Sequence, residues 1–170
     1  MFESPRLFLR KWTETDFPFV GPILGDPIVM EFSEQGALTQ REQEAWFREA
    51  LRSHGSSELP GVLAVEHKKT GKVLGYISLC RDLERVSGQD AEIGFRLAHT
   101  AWGQGYATEA AKRMLELAKQ TASVDRVVAI VDPNNHRSVR VLEKSGMIHE
   151  GEIMFDEYDY PDHVYVWQSA

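Results

Sequence analysis

Residues 91–118 read as strand, glycine turn and helix, and this junction restricts the possible folds more than any other stretch of the chain. In Ala91-Glu92-Ile93-Gly94-Phe95-Arg96-Leu97, apolar Ile93, Phe95 and Leu97 alternate with Glu92, Gly94 and Arg96, the period of a strand with two unlike faces. Ala107, Ala110, Ala111, Met114, Leu115 and Ala118 then recur at helical spacing, with Glu109, Lys112, Arg113, Glu116 and Lys119 on the other side. Between them lies Trp102-Gly103-Gln104-Gly105-Tyr106. Two glycines there permit positive φ and close approach of a ligand to the backbone. The first amides of the helix have no intrahelical partner and carry the positive end of the macrodipole. Backbone amides from about 103 to 108 therefore suit a phosphate, although a turn that only packs well would look the same. The ligand is not a P-loop nucleotide, because Gly105-Tyr106-Ala107 lacks the Gly-Lys-Ser/Thr step. A dinucleotide fingerprint fits poorly too: it places Gly or Ala where Thr108 stands and follows the first strand of a parallel sheet.

The flanking sequence supplies the rest of the architecture. Leu7 to Lys11 reads as a strand, and Pro18, Gly21, Pro22, Gly25 and Pro27 restrict residues 14–38 to short helical turns and loops. Thr39-Gln40-Arg41-Glu42 fits a capping box ahead of a helix over 40–53, with Trp46, Phe47, Ala50 and Leu51 on its apolar face. Val62 to Val65 and Val73 to Leu79 are strands joined by the polar link 68–72, and a loop containing Ser87-Gly88 leads into the strand at 91. Arg126 to Val131 is a buried strand. A helix opens at Pro133-Asn134-Asn135 and ends at Gly146, and residues 147–168 form two strands turning near Tyr160-Pro161-Asp162. Strand–helix alternation in the second half implies a parallel pair and the hairpins imply antiparallel ones, so the expected class is α/β with a mixed sheet. At 170 residues the expectation is a single domain over 1–170.

Two long motifs, in register with the first strand, resemble a known family. Ala91-Glu92-Ile93-Gly94-Phe95 followed by Trp102-Gly103-Gln104-Gly105-Tyr106-Ala107-Thr108-Glu109-Ala110 resembles the acetyl-CoA motif of the GNAT N-acetyltransferases. Asn135-His136-Arg137-Ser138 through Leu142-Glu143-Lys144-Ser145-Gly146-Met147 is similar to the second motif of the branch containing the ribosomal-protein N-terminal acetyltransferases. Ser4-Pro5-Arg6-Leu7-Phe8-Leu9-Arg10 resembles that branch's first strand. The resemblance implies a twisted, mostly antiparallel sheet of about seven strands flanked by helices and splayed between the fourth and fifth. It further implies acetyl-CoA as co-substrate, with its pyrophosphate on the amides of Gly103, Gln104, Gly105, Tyr106, Ala107 and Thr108. Pantetheine would pair with the backbone of Arg96 and Leu97 like an added strand. The consensus places Gln or Arg where Trp102 stands, a position that is often Trp in this branch. A dimer is common in the family.

Moving an acetyl group to an amine requires a neutral amine, a polarised carbonyl and a proton for the departing thiolate. At pH 7 an α-amine with pKa near about 8 is roughly one tenth neutral, and a lysine near about 10.4 is below about 0.1% neutral. A base is therefore useful for the first and close to essential for the second. The position of Glu92 resembles that of the family's base glutamate; it could equally pair with Arg96 or Arg126. A backbone amide near Arg96 would polarise the thioester oxygen. Many members supply the proton from a tyrosine, and the matching residue here is Leu142. Ser138 then becomes the candidate donor to the CoA sulfur, or else a helix-face serine. Asn135 could cap its helix or hold the pantetheine arm.

Other chemistries find little support. His54, His67, His99, His136, His149 and His163 show no metal-ligand spacing, so no metal is expected. Cys80 reads as a small core residue, and Trp46 and Phe47 as helix core. A net charge of −7 disfavours nucleic acid or an anionic membrane as partner and leaves cationic ones open. No apolar run approaches a membrane span, and the charged, proline-bearing start does not read as a signal peptide, so a cytoplasmic setting is expected. Glu150, Glu152, Asp156, Glu157, Asp159 and Asp162 are unbroken by Lys or Arg, and Phe155, Tyr158 and Tyr160 lie among them. This is a solvated hairpin or one wall of a site for a cationic amine, with residues 17–38 opposite. The acceptor is a protein N-terminus or a small-molecule amine. A non-catalytic CoA-binding module and, more remotely, a nicotinamide oxidoreductase are the competing classes.

Overall fold

A computed structural model of the chain describes residues 1–52, 58–81, 90–155 and 159–168. The loop at Ser87-Gly88, His54, and Asp156, Glu157 and Tyr158 of the acidic tail lie outside them. Eight strands, β1 (Phe2–Glu3), β2 (Leu7–Arg10), β3 (Gly61–His67), β4 (Val73–Cys80), β5 (Ala91–Leu97), β6 (Arg126–Val131), β7 (Ile148–Ile153) and β8 (Asp162–Gln168), form one sheet in the order β1-β2-β3-β4-β5-β6-β8-β7. Every neighbouring pair is antiparallel except β5 and β6. The strand beyond the expected seven is β1, a two-residue edge too short to show periodicity. It shifts the count, so the predicted splay falls between β5 and β6. A nicotinamide enzyme of the doubly wound type needs a mostly parallel sheet, which this is not.

The helices are α1 (Phe17–Leu24), α2 (Gln40–Arg52), α3 (Tyr106–Lys119) and α4 (His136–Lys144). Strand alternation decides which face each one covers. Leu63 and Val65 point into a core with Leu9, Ile77, Leu79 and Ile93, where α3 buries Ala110, Ala111, Met114, Leu115 and Ala118. Ala64, between them, faces the opposite layer, with Trp12, Val20, Leu24 and Met30 and with Phe47 and Ala50 of α2. Each fully buried large side chain contributes about 2 kcal/mol relative to its exposed state. Trp46 is only partly buried and stacks on Tyr76, with ring centroids 4.7 Å apart. Cys80 is half-buried at the end of β4, not in the core.

The start of α2 carries the glutamate half of the expected capping box. Glu42 accepts from the Thr39 amide at 2.8 Å, as a box requires, but the Thr39 hydroxyl donates to the same carboxylate at 2.6 Å.

One buried ion pair fixes where the segment after β2 departs. Arg10 donates from Nη1 and Nη2 to the two oxygens of Asp16, at 2.7 and 2.8 Å, and from Nε to Glu66 at 2.6 Å. Burial by itself would raise the Asp16 carboxyl's pKa; hydrogen bonds from Arg10 and from the Thr13 amide and hydroxyl outweigh it and hold the group below its ordinary value. A folded-state pKa below the unfolded one gives stability that is present above about pH 4 and is lost as pH falls further. Asp16→Ala should therefore cost about 3 kcal/mol in urea unfolding at pH 7, because Arg10 keeps Glu66 as its one carboxylate. The deficit should shrink as the measurement is moved toward pH 3.

Candidate active site

The sheet opens at one fork. β5 stays paired with β4 from Glu92 to Leu97, and β6 stays paired with β8 along its whole length. Between β5 and β6 only Ala91 with Val127 and Glu92 with Val128 are in register. Each strand follows its outer neighbour, so the two diverge from Ile93 onward. Glu92 is the last paired residue before the split.

Gly75 on β4 sets how closely β4 and β5 approach each other. With φ at 151°, an added Cβ would sit 2.1 Å from the Arg96 carbonyl oxygen and 2.7 Å from the Leu97 Cα. A side chain there would displace the stretch of β5 expected to meet pantetheine.

The glycine turn follows β5. Trp102 donates its indole N–H to the Leu97 carbonyl at 2.9 Å, which pins the turn to the strand end. The Arg137 guanidinium lies over the same ring, 4.4 Å from its centroid. An indole thus holds the turn in place where the consensus has Gln or Arg. Gly103 and Gly105 are both left-handed, with φ of 73° and 80°. The first backbone bond of α3 runs from the Glu109 N–H to the Gly105 carbonyl at 3.0 Å, so the amides of Tyr106, Ala107 and Thr108 lie ahead of the helical ladder.

Those amides border a groove of about 360 Å³ that runs between the turn and α4. Phe95, Arg96, Leu97, Trp102, Gly103, Gly105, Tyr106, Ala107 and Thr108 line one side, and Asn135, Arg137, Ser138, Arg140 and Lys144 line the other. Its charged side chains are all cations: Arg96, Arg137, Arg140 and Lys144. Gln104 alone of the predicted cofactor residues lies outside. Its side chain donates to the Thr100 carbonyl at 3.1 Å and its own carbonyl accepts from Arg6, which turns both away from the groove.

A second cavity of about 510 Å³ lies on the other side of the fork. Its charged lining is reversed: Glu31, Glu34, Glu92, Asp132 and Asp162 against Arg96. The two spaces share Phe32, Phe95, Arg96, Asn135 and Ser138. Ser138 therefore stands at the passage between a cationic groove and an acidic pocket. Glu31 and Glu34 come from the segment between α1 and α2, Tyr160 from the connection between β7 and β8, and Asp162 from the start of β8.

Hydrogen bonding answers some of the open questions. The Asn135 Oδ1 accepts from the Ser138 N–H at 3.1 Å, so Asn135 caps α4. Arg96 donates to the Tyr76 hydroxyl at 3.1 Å, and burial pushes the Tyr76 phenol pKa up. Arg126 pairs with Asp90 at 2.8 Å and Glu150 at 3.0 Å. Leu142 is 1% exposed in the core beneath α4 and touches the acidic cavity. Tyr160 donates to Asp132 at 2.8 Å across the rim.

Sequence reading missed several of these groups. Arg137, Arg140 and Lys144 carried a usable signal, since spacings of three and four put them on one helical face. Glu31 and Glu34 fall in the 17–38 segment expected to form a wall, though nothing singled them out within it, and Tyr76 carried no signal, because only the register of β4 with β5 brings it to the cavity.

The profile of the acetyltransferase (GNAT) domain matches residues 6–148. The chain belongs to the GNAT acetyltransferase family. The uncharacterized protein YkkB of Bacillus subtilis is 31% identical to this GNAT chain over 146 residues, 85% of this chain and 83% of that protein. A GNAT-family acetyltransferase from Bacillus anthracis shares the fold with a TM-score of 0.85 at 23% identity, over 98% of this chain and 97% of that one. AAC(6')-Ib, solved with paromomycin and acetyl-CoA, superposes with a TM-score of 0.74 at 20% identity, over 96% and 93% of the two chains. Likeness at these identities fixes the architecture of the GNAT domain and leaves its acceptor to the site itself.

Proposed function

We propose that this GNAT chain transfers an acetyl group from acetyl-CoA to a cationic amine by direct attack in a ternary complex. The observation that carries the reading is the meeting, at Ser138 and Phe95, of an all-cationic groove with a cavity holding five carboxylates. In this reading the amides of the glycine turn, with Arg137, Arg140 and Lys144, take the phosphates, and pantetheine runs along the open edge of β5 at Arg96 and Leu97. The thioester then reaches the passage between the two spaces. The acidic cavity raises the local concentration of a protonated amine. Glu92, beside the fork, takes a proton from that amine directly or through a water. The neutral nitrogen attacks the acetyl carbon, a backbone amide near Arg96 stabilises the oxyanion, and the C–S bond breaks. The bonded nitrogen, cationic after attack, releases its second proton to solvent; Ser138 donates a hydrogen bond to the leaving thiolate, which is finally protonated from solvent or from the acid left at Glu92. AAC(6')-Ib, solved with an aminoglycoside in place, is consistent with an acceptor that carries several amines. A protein N-terminus, as in the ribosomal-protein branch, fits the same chemistry through its less basic α-amine.

A second reading draws on Leu142. With an apolar core residue where many relatives place a tyrosine, the chain could bind acetyl-CoA without turning it over. Thiol release from acetyl-CoA, followed with a panel of amines, separates the two. Polyamines, aminoglycosides and N-terminal peptides that accelerate release, with anionic amines inert, support catalysis. Release that no amine accelerates leaves a binding module.

A further inference from the structure

Arg6 lies behind the glycine turn, away from the groove, and ties the arm ahead of β2 to the start of α3. Its Nε donates to Glu109 Oε2 at 2.6 Å and its backbone N–H to Glu109 Oε1 at 2.7 Å. Its Nη1 donates to the Gln104 carbonyl at 2.9 Å, and its guanidinium covers the Tyr106 ring at 4.5 Å. An ideal Cβ on Gly105 would come to 3.4 Å from Nη2. The arm is itself anchored: the Arg6 carbonyl accepts from the Lys68 N–H at 2.9 Å, and the Ser4 hydroxyl donates to Glu109 at 2.7 Å.

The consequence follows from peptide geometry. In a trans peptide the carbonyl and the next N–H point in opposite directions. Arg6 draws the Gln104 carbonyl to the outside of the turn, so the Gly105 N–H is aimed the other way, toward the groove that Gly105 lines. Glu109 is the acidic residue in the first turn of α3, where a free carboxylate would oppose an incoming anion. Burial would raise its pKa, but the Ser4 hydroxyl and the amide and side chain of Arg6 hold it below the ordinary value, so it is ionised at neutral pH. Arg6 is the cation that balances it.

We propose that Arg6 is the positioning residue of the pyrophosphate cradle: from outside the groove it orients the peptide that joins Gln104 to Gly105, and it neutralises Glu109. The proposal rests on the acetyl-CoA reading above. A guanidinium is needed because one planar fork serves the Gln104 carbonyl and the Glu109 carboxylate together.

The test is calorimetric titration of wild type, Arg6→Gln and Arg6→Lys with acetyl-CoA, together with amide spectra of ¹⁵N-labelled protein. Arg6→Gln should raise the Kd about tenfold and abolish most of the shift that the Gly105 amide shows on saturation. Arg6→Lys should fall between, because an ammonium reaches one of the two acceptors. The proposal is overturned if Arg6→Gln binds like wild type, or if its affinity falls while the Gly105 shift is retained. It is also overturned if Arg6→Lys matches wild type, which would reduce Arg6 to a point charge. Should Arg6→Gln not fold, Arg6→Lys carries the same test. No binding by the wild type would refute the acetyl-CoA reading itself.

Discussion

Gly105→Asp should weaken acetyl-CoA binding by about 100-fold, roughly 2.7 kcal/mol. Two separable effects contribute. Residue 105 is held at φ of 80°, where any side chain is strained, although Asp and Asn tolerate the region better than most. The structure also redirects the electrostatic part. The new Cβ would face the Arg6 guanidinium at 3.4 Å, so the added carboxylate competes with Glu109 for Arg6 and adds an uncompensated negative charge at the cradle. Gly105→Asn has nearly the same shape without the charge and should lose only about tenfold. The ratio of the two Kd values, read by calorimetry, reports the charge alone. Equal losses would mean that the turn is sensitive to backbone strain and indifferent to anions.

Glu92→Gln should lower kcat about 100-fold near pH 7, with the Kd for acetyl-CoA unchanged. Glutamine preserves the size of the side chain at the fork and removes only its capacity to take a proton. The pH profile distinguishes this role from a structural one. As pH rises past the amine's own pKa, the acceptor arrives neutral and the base has less to do, so the deficit should narrow. Turnover equal to wild type across the profile would show that Glu92 only supports the junction of β5 with β6.

The legible parts of the molecule were those in which a short-range rule decides the outcome. Alternation at 91–97 and the helical stripe at 107–118 gave β5 and α3 to within a residue or two, and the glycine pair marked the turn between them. The fork itself was not visible in the periodicity of either strand. It arises because β5 follows β4 while β6 follows β8, a property of pairing between distant segments; the family resemblance supplied it. Asn135 had two local readings; its Oδ1 meets the Ser138 N–H at helix geometry, which makes it the cap of α4, and it also lines the groove. At Gln104 tertiary contacts commit the carbonyl to Arg6 and the side chain to Thr100, neither of which is the backbone N–H that its place in the motif concerns. The acidic tail illustrates the limit of composition. Asp162 and Tyr160 acquire a site only because the β7–β8 turn is carried opposite Glu31 and Glu34.

In the proposed function the turn from Gly103 to Thr108 binds the phosphates of acetyl-CoA beside an acidic cavity suited to a cationic amine. Calorimetric titration of the purified protein with acetyl-CoA, with NADH in parallel, tests it most directly. Micromolar binding of acetyl-CoA and no heat with NADH are expected. No binding of acetyl-CoA would contradict it, reducing the turn to a structural element and removing the basis for the acceptor site as well.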